Sequence, residues 1–219
     1  MAGIDLRAIN EELAKTAGEY PMVPAELARM ERRPWILRHV IPGGVGAEVG
    51  VFRGHFSEIL MATLKPEKMY LIDPWTKMGE FFTFNKGPYT NQGALPTKVA
   101  LNEVKLRVKK FPKVDVRIVE GYSVEEMQKI PEKLNFVYID ANHTYEYVLK
   151  DLYAAAKLLA PKGVIIGDDW TPHPDGVHHG VFKAVQEFVS TTDFQIIGAG
   201  YGAQYCLRRA HIYDTPAQA

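Results

Sequence analysis

Gly46-Ala-Glu-Val-Gly-Val-Phe-Arg-Gly54 joins the end of a short apolar run to the helical pattern Ser57-Glu-Ile-Leu-Met-Ala-Thr-Leu64, and it restricts the fold more than any other stretch. A strand that passes into a helix through glycines is the opening unit of an α/β sheet. Gly50 and Gly54 let the backbone bend sharply and approach a ligand, and the first free N–H groups of the helix face the same space. Packing alone also favours glycine after a first strand, so the motif leaves a structural and a functional reading open. Met69-Tyr-Leu-Ile-Asp73 is a second apolar run ending in a carboxylate. An acid roughly twenty residues past a Gly-rich turn is where a ribose-bearing ligand has its hydroxyls held.

From Val45 onward, strands at 45–50, 69–73, 114–119, 134–140 and 163–168 alternate with helices at 54–64, 97–110, 123–129, 145–159 and 178–190. That order predicts an α/β fold, a mostly parallel sheet with helices on both faces. Asn135-Phe-Val-Tyr-Ile139 and Gly163-Val-Ile-Ile166 are continuously apolar, as strands buried on both sides are. Phe194-Gln-Ile-Ile197 and Ala203-Gln-Tyr-Cys-Leu207 are linked by Gly198-Ala-Gly-Tyr-Gly202, which predicts a terminal antiparallel hairpin. Ahead of the sheet, helical patterns over 4–17 and about 25–40 form an N-terminal extension, residues 1–42, before a main domain over 43–213. Pro24 suits a first helical turn, whereas Pro34 kinks or splits the second helix. The segment 74–96 is too long and aromatic for a plain connection, with Trp75, Phe81, Phe82, Phe84 and Tyr89. It reads as a substrate lid, with subunit contact in a homodimer as the alternative. Asp214–Ala219 reads as a loose tail.

At 219 residues with 47% hydrophobic content the chain buries one substantial core. Lys+Arg and Asp+Glu are equal at 26 each, which argues against a nucleic-acid or anionic-membrane partner. No apolar stretch approaches the roughly 18 residues of a membrane span, and the opening residues lack a basic region followed by an apolar run, so a cytoplasmic location is expected. Cys206 falls in a strand pattern and reads as a packing residue.

Ligands of open parallel sheets sit beyond the carboxyl ends of the strands. Those ends carry Glu48 and Gly50, then Asp73, then Glu120-Gly-Tyr-Ser123, then Asp140-Ala-Asn-His143, then Asp168-Asp169-Trp170. Carboxylates gathered on one rim raise one another's pKa unless a cation or donors compensate. His173, His178 and His179 show no metal-ligand spacing and read as surface or substrate contacts.

Glu48-x-Gly50-x-x-x-Gly54, Leu71-Ile-Asp73-Pro-Trp75, Phe136-Val-Tyr-Ile-Asp140-Ala-Asn-His143-x-Tyr145 and Leu159-Ala-Pro-Lys-Gly163-Val-Ile-Ile-Gly-Asp168-Asp169 resemble a class I S-adenosylmethionine-dependent methyltransferase. Within that class they are most similar to small bacterial O-methyltransferases of the macrocin and catechol O-methyltransferase type. The resemblance covers about Val45 to Arg209 and implies a Rossmann-like, seven-stranded sheet with a reversed last strand. It implies that Glu48, Gly50 and Gly54 border the methionine part of the cofactor, that Asp73 holds the ribose hydroxyls, and that Gly121, Tyr122 and Ser123 lie by the adenine, with Asp140 at the edge of that cofactor site. Asp140, Asp168 and Asp169 match positions where metal-dependent relatives hold Mg²⁺, a hard cation suited to oxygen ligands, with a metal-free acidic rim as the alternative. Phe52 departs from the pattern, which often has glycine there.

Methyl transfer needs an oxygen nucleophile aligned behind the S–CH₃ bond and relieved of its proton. Asp140 or His143 is the candidate base, His143 with a pKa suited to work near neutrality. The expected acceptor is a small hydroxylated molecule, a sugar or secondary metabolite. A nicotinamide-dependent oxidoreductase is the competing reading, weakened by the missing Gly-x-Gly-x-x-Gly, and a non-catalytic nucleotide-binding protein is the third.

Overall fold

The computed structural model describes residues 22–84 and 86–210. The helix expected over 4–17 and the tail from Asp214 lie outside the described residues. Helix α1 spans Pro24–Arg32 and gives way to a 3-10 turn over Arg33–His39. Pro34 is the reason, because it lacks an N–H and its ring clashes with the carbonyl four residues back, so the α ladder stops before it. Met30, Ile36 and Leu37 of this stretch are buried, each contributing about 1.5–3 kcal/mol of apolar transfer.

Seven strands follow: β1 Val45–Val49, β2 Lys68–Asp73, β3 Asp115–Glu120, β4 Leu134–Ile139, β5 Leu159–Gly167, β6 Phe194–Ala199 and β7 Tyr205–Arg209. They form one sheet in the order β3-β2-β1-β4-β5-β7-β6. The first five pair in parallel, while β7 runs antiparallel to both β5 and β6. The expected hairpin is present, turned through Gly200 at φ 108°. The connecting helices are α2 His55–Leu64, α3 Thr97–Val108, α4 Ser123–Met127, α5 Tyr145–Leu158 and α6 His179–Thr191.

Strand alternation divides the core in two. Leu71, Phe136, Tyr138, Val164, Ile166 and Cys206 face α2, α3 and the Ile36–Leu37 turn. Ala47, Val49, Val137, Ile139 and Ile165 face α5 and α6 through Val148, Leu152, Val181 and Phe188. Burial pushes the Cys206 thiol up to about 12, which leaves it the inert packing group expected. No helix among the described residues is long and apolar enough to cross a membrane.

The sheet order reverses between β1 and β4. The chain goes outward through β2 and β3 on one side and through β4 and β5 on the other, so a crevice opens beyond the tips of β1 and β4.

Candidate active site

Gly50 ends β1 at φ 87°, and a Cβ there would lie 2.1 Å from the Asp140 carbonyl oxygen. Its glycine is therefore required by the close passage of the β1 and β4 tips, whatever lies beyond them. Gly50 N–H donates to Ile72 (2.9 Å), and Asp140 N–H donates to Val49 (2.8 Å), which ties the three strand ends together. Gly54 begins α2 in the left-handed region, its N–H donates to Val51 (2.9 Å), and its missing side chain points at Val104. It shapes the turn and seats α3, and its N–H is already spent within the loop.

Asp73 at the tip of β2 is buried and accepts from the Phe52 and Trp75 backbone N–H groups, both at 2.9 Å. Burial outweighs these donors and raises its pKa to about 6. Trp75 returns the tie, its indole N–H donating to the Phe52 carbonyl at 2.7 Å. Glu48, buried on β1, accepts from the Ser57 hydroxyl, and its burial pushes it up to about 8. After β3, Gly121 N–H donates to Asp73 (3.0 Å), Tyr122 is exposed, and the Ser123 hydroxyl is taken up by Asp151 of α5. The residues expected to line a cofactor thus border one continuous edge, with Gly54 and Ser123 already engaged by protein groups.

Phe52 explains the departure noted in its motif. It sits at φ 54°, stacks on Tyr89 (4.4 Å between centroids) and meets Phe82 edge-on (4.9 Å). Its ring is the floor on which the 74–96 segment packs. Trp75 and Phe82 of that segment belong to the core, whereas Phe84 remains exposed.

Beyond β4 and β5, Asp140, His143, Asp168 and Asp169 converge, and so do two arginines that no sequence pattern marked. Arg33 reaches Asp140 Oδ2 with Nη1 (3.0 Å) and Asp168 Oδ2 with Nη2. Arg29, one helical turn earlier, donates to Asp168 Oδ2 at 2.6 Å and approaches Asp169 Oδ1 at 3.5 Å. Gln204, just ahead of β7, donates to Asp168 Oδ1 (2.9 Å) and lies 2.8 Å from the Tyr138 hydroxyl. His143 Nε2 lies 3.3 Å from Asp140 Oδ1 and 3.1 Å from Asp169 Oδ2. Asp169 itself takes a left-handed φ of 60°, uncommon for a residue with a side chain and frequent at working sites.

The electrostatics follow. Burial alone would raise Asp140, but Arg33, His143 and Arg29 override it and hold the carboxyl below its ordinary value. Burial raises Asp168 against the pull of Arg33, with Asp140 and Asp169 adding to the rise. His143 is lowered by burial yet raised overall by its hydrogen bond to Asp140 and by the surrounding carboxylates. The acids that orient His143 thus also favour its protonated form.

The metal expectation meets the same arginines. Oxygens of Asp140, Asp168 and Asp169 lie within 4.8 Å of one another, close enough to share an ion. Every one of their six oxygens, however, already faces a donor from Arg29, Arg33, His143 or Gln204. Two unit charges about 4 Å apart interact by about 4 kcal/mol at an effective dielectric near 20, and a divalent ion doubles that repulsion from a guanidinium. As they stand these residues do not fit Mg²⁺.

Of the histidines after β5, His178 Nε2 comes within 3.9 Å of Asp169 and packs edge-on against His143. His179 faces the Thr171 carbonyl at 3.0 Å, and His173 is exposed. Arg29 and Arg33 escaped sequence reading because a helical arginine near its apolar neighbours looks like any solvated one. The available hint was Arg33 lying between Met30 and Ile36 on the inward face.

Residues 47–170, more than half of the chain, match the family described as a methyltransferase domain, and the chain belongs to that family. Among solved structures it is similar to the O-methyltransferase NovP, with a TM-score of 0.62 and 18% identity over 94% of this chain and 98% of that one. It is also similar to the O-methyltransferase TomG from Streptomyces achromogenes, solved with S-adenosylmethionine, at 0.56 and 16% over 92% and 89%. An rRNA methylase from Streptococcus thermophilus shares the fold at 0.52 and 11% over 86% and 97%. No curated protein matches the chain in sequence. At these identities the likeness concerns the fold, and methylases of unlike acceptors share it.

Proposed function

We propose that this methyltransferase uses S-adenosylmethionine to methylate a hydroxyl oxygen of a small molecule. The observation that carries the reading is the meeting, at the β1/β4 reversal, of the Gly50 turn and Asp73 on one side with a histidine held between carboxylates on the other. Asp73 offers its remaining lone pairs to ribose hydroxyls, Gly121 and Tyr122 border the adenine, and Glu48 and Gly50 border the methionine end. The relatives solved as O-methyltransferases support oxygen as the acceptor.

His143 is the better base of the two candidates. Asp140 is held ionised by Arg33 and has little affinity for a proton, whereas His143 donates its Nε2–H toward Asp140 and Asp169, which orients the ring and leaves the Nδ1 lone pair to take the proton. The acceptor O–H gives its proton to neutral His143. The oxygen lone pair forms the O–CH₃ bond while the S–CH₃ electrons return to sulfur, leaving S-adenosylhomocysteine, and the imidazolium then releases its proton to solvent. The 74–96 segment acts as the lid that excludes water from this exchange.

Calorimetric titration with S-adenosylhomocysteine tests the cofactor. Micromolar binding, weakened at least tenfold in a folded Asp73→Asn variant, is expected, and absence of binding to wild type would overturn the reading. Transfer of labelled methyl groups to a panel of hydroxylated acceptors then tests the reaction.

A further inference from the structure

We infer that Arg33, supported by Arg29, is the resident cation of this centre, and that the Asp140–Asp168–Asp169 rim works without a divalent metal. The inference rests on the methyltransferase reading above and concerns the same rim.

The Arg33 fork spans Asp140 Oδ2 and Asp168 Oδ2, one oxygen from each of two carboxylates close enough to share an ion. Its side chain is 5% exposed, lies over the Phe56 ring at 5.6 Å, and is fixed by the turn that Pro34 starts. A guanidinium in such a place cannot yield as an ammonium would. It does not deprotonate, and its planar fork suits two carboxylates at once. Expelling it would strand a buried charge, so an incoming cation must undo the packing of the whole Arg33–His39 turn.

The charge count agrees. Three carboxylates face two guanidiniums. The excess of one carboxylate over the guanidiniums complements the sulfonium of the methyl donor. Arg33 is thus a positioning residue: it keeps Asp140 ionised and aimed at His143, and does not itself touch the reacting atoms.

The test uses metal-stripped full-length protein and Mn²⁺, whose free form is read by electron paramagnetic resonance, with S-adenosylhomocysteine calorimetry alongside. Wild type should show no saturable Mn²⁺ binding below millimolar concentration, and chelator should leave S-adenosylhomocysteine affinity unchanged. Arg33→Gln should open the rim and gain Mn²⁺ affinity by roughly tenfold or more, with the gain cancelled by adding Asp168→Asn, while Arg33→Lys should gain less. Should Arg33→Gln fail to melt cooperatively, Arg29→Gln, whose side chain is 39% exposed, carries the same expectation. Tight stoichiometric Mn²⁺ binding by wild type, lost in Asp168→Asn, would overturn the inference, as would a folded glutamine variant with no gain. Absence of S-adenosylhomocysteine binding would instead remove the cofactor reading, whatever the Mn²⁺ result.

Discussion

Replacing Gly50 by alanine separates the demands of the fold from those of a ligand. Alanine would have to hold φ at 87°, which costs an L-residue about 1–2 kcal/mol. Its Cβ would also stand 2.1 Å from the Asp140 carbonyl oxygen and 2.4 Å from the carbonyl carbon, both backbone atoms that cannot rotate away. Forcing a methyl group into a filled site costs typically 1–3 kcal/mol more, so Gly50→Ala should lose about 2–5 kcal/mol in all. Gly43 supplies the control. It has nearly the same φ, 91°, but nothing within 4 Å of its missing Cβ, so Gly43→Ala should lose only the backbone share of about 1–2 kcal/mol. Urea unfolding at unchanged slope reads both losses from the midpoints. Equal losses in the two variants would refute the claim that the β1 and β4 tips leave no room for a side chain.

Three further outcomes follow from the site. Phe52→Ala removes the floor of the 74–96 segment and should lose roughly 3 kcal/mol, the lower end for a buried phenylalanine; chymotrypsin should then cut faster near Phe81 and Phe84, and an unchanged cleavage rate would count against that packing. With His143 as the base, turnover should rise with pH through a midpoint above the ordinary histidine value, because the raised pKa keeps the ring protonated longer. Asp140→Asn should move that midpoint down, and a pH-independent rate would remove His143 from the role. Glu48 has a folded pKa near 8 against 4.5 unfolded, so its contribution is complete below the lower value and is lost as pH rises through the upper one. Glu48→Gln, which stays neutral, should therefore lose less stability than wild type over that interval, as thermal melts at each pH would show.

Much of this architecture was legible because the strands bear period and punctuation on their surface. Five apolar runs each ended in glycine or acid, helical patterns separated them, and the glycine-rich link before Ala203 announced a hairpin; each feature is local, and the structure repeats them nearly residue for residue. The acidic tips were legible for the same reason. Their counter-charges were not, since Arg29 and Arg33 meet Asp168 across more than a hundred residues and nothing local distinguishes them from surface cations. Nor does its place in an aromatic loop announce that Trp75 is buried in the core by its indole bond to Phe52, anchoring the start of the 74–96 segment. Gly54 likewise resembles a ligand-facing glycine, although its open side faces α3, a partner that only the folded chain reveals.

The span between Arg33 and Asp168, 135 residues, also bears on how the chain reaches its fold. Pairings of high sequence separation close late, after nearer contacts have lowered the entropy of the loop between them. The neighbouring strands β4 and β5 can bring Asp140, Asp168 and Asp169 together before the Arg33 turn docks, an order in which like charges crowd without their partners. Salt should therefore speed refolding more than it changes the stability of the native state, in which every rim oxygen is matched, and stopped-flow refolding at low and high ionic strength would check it.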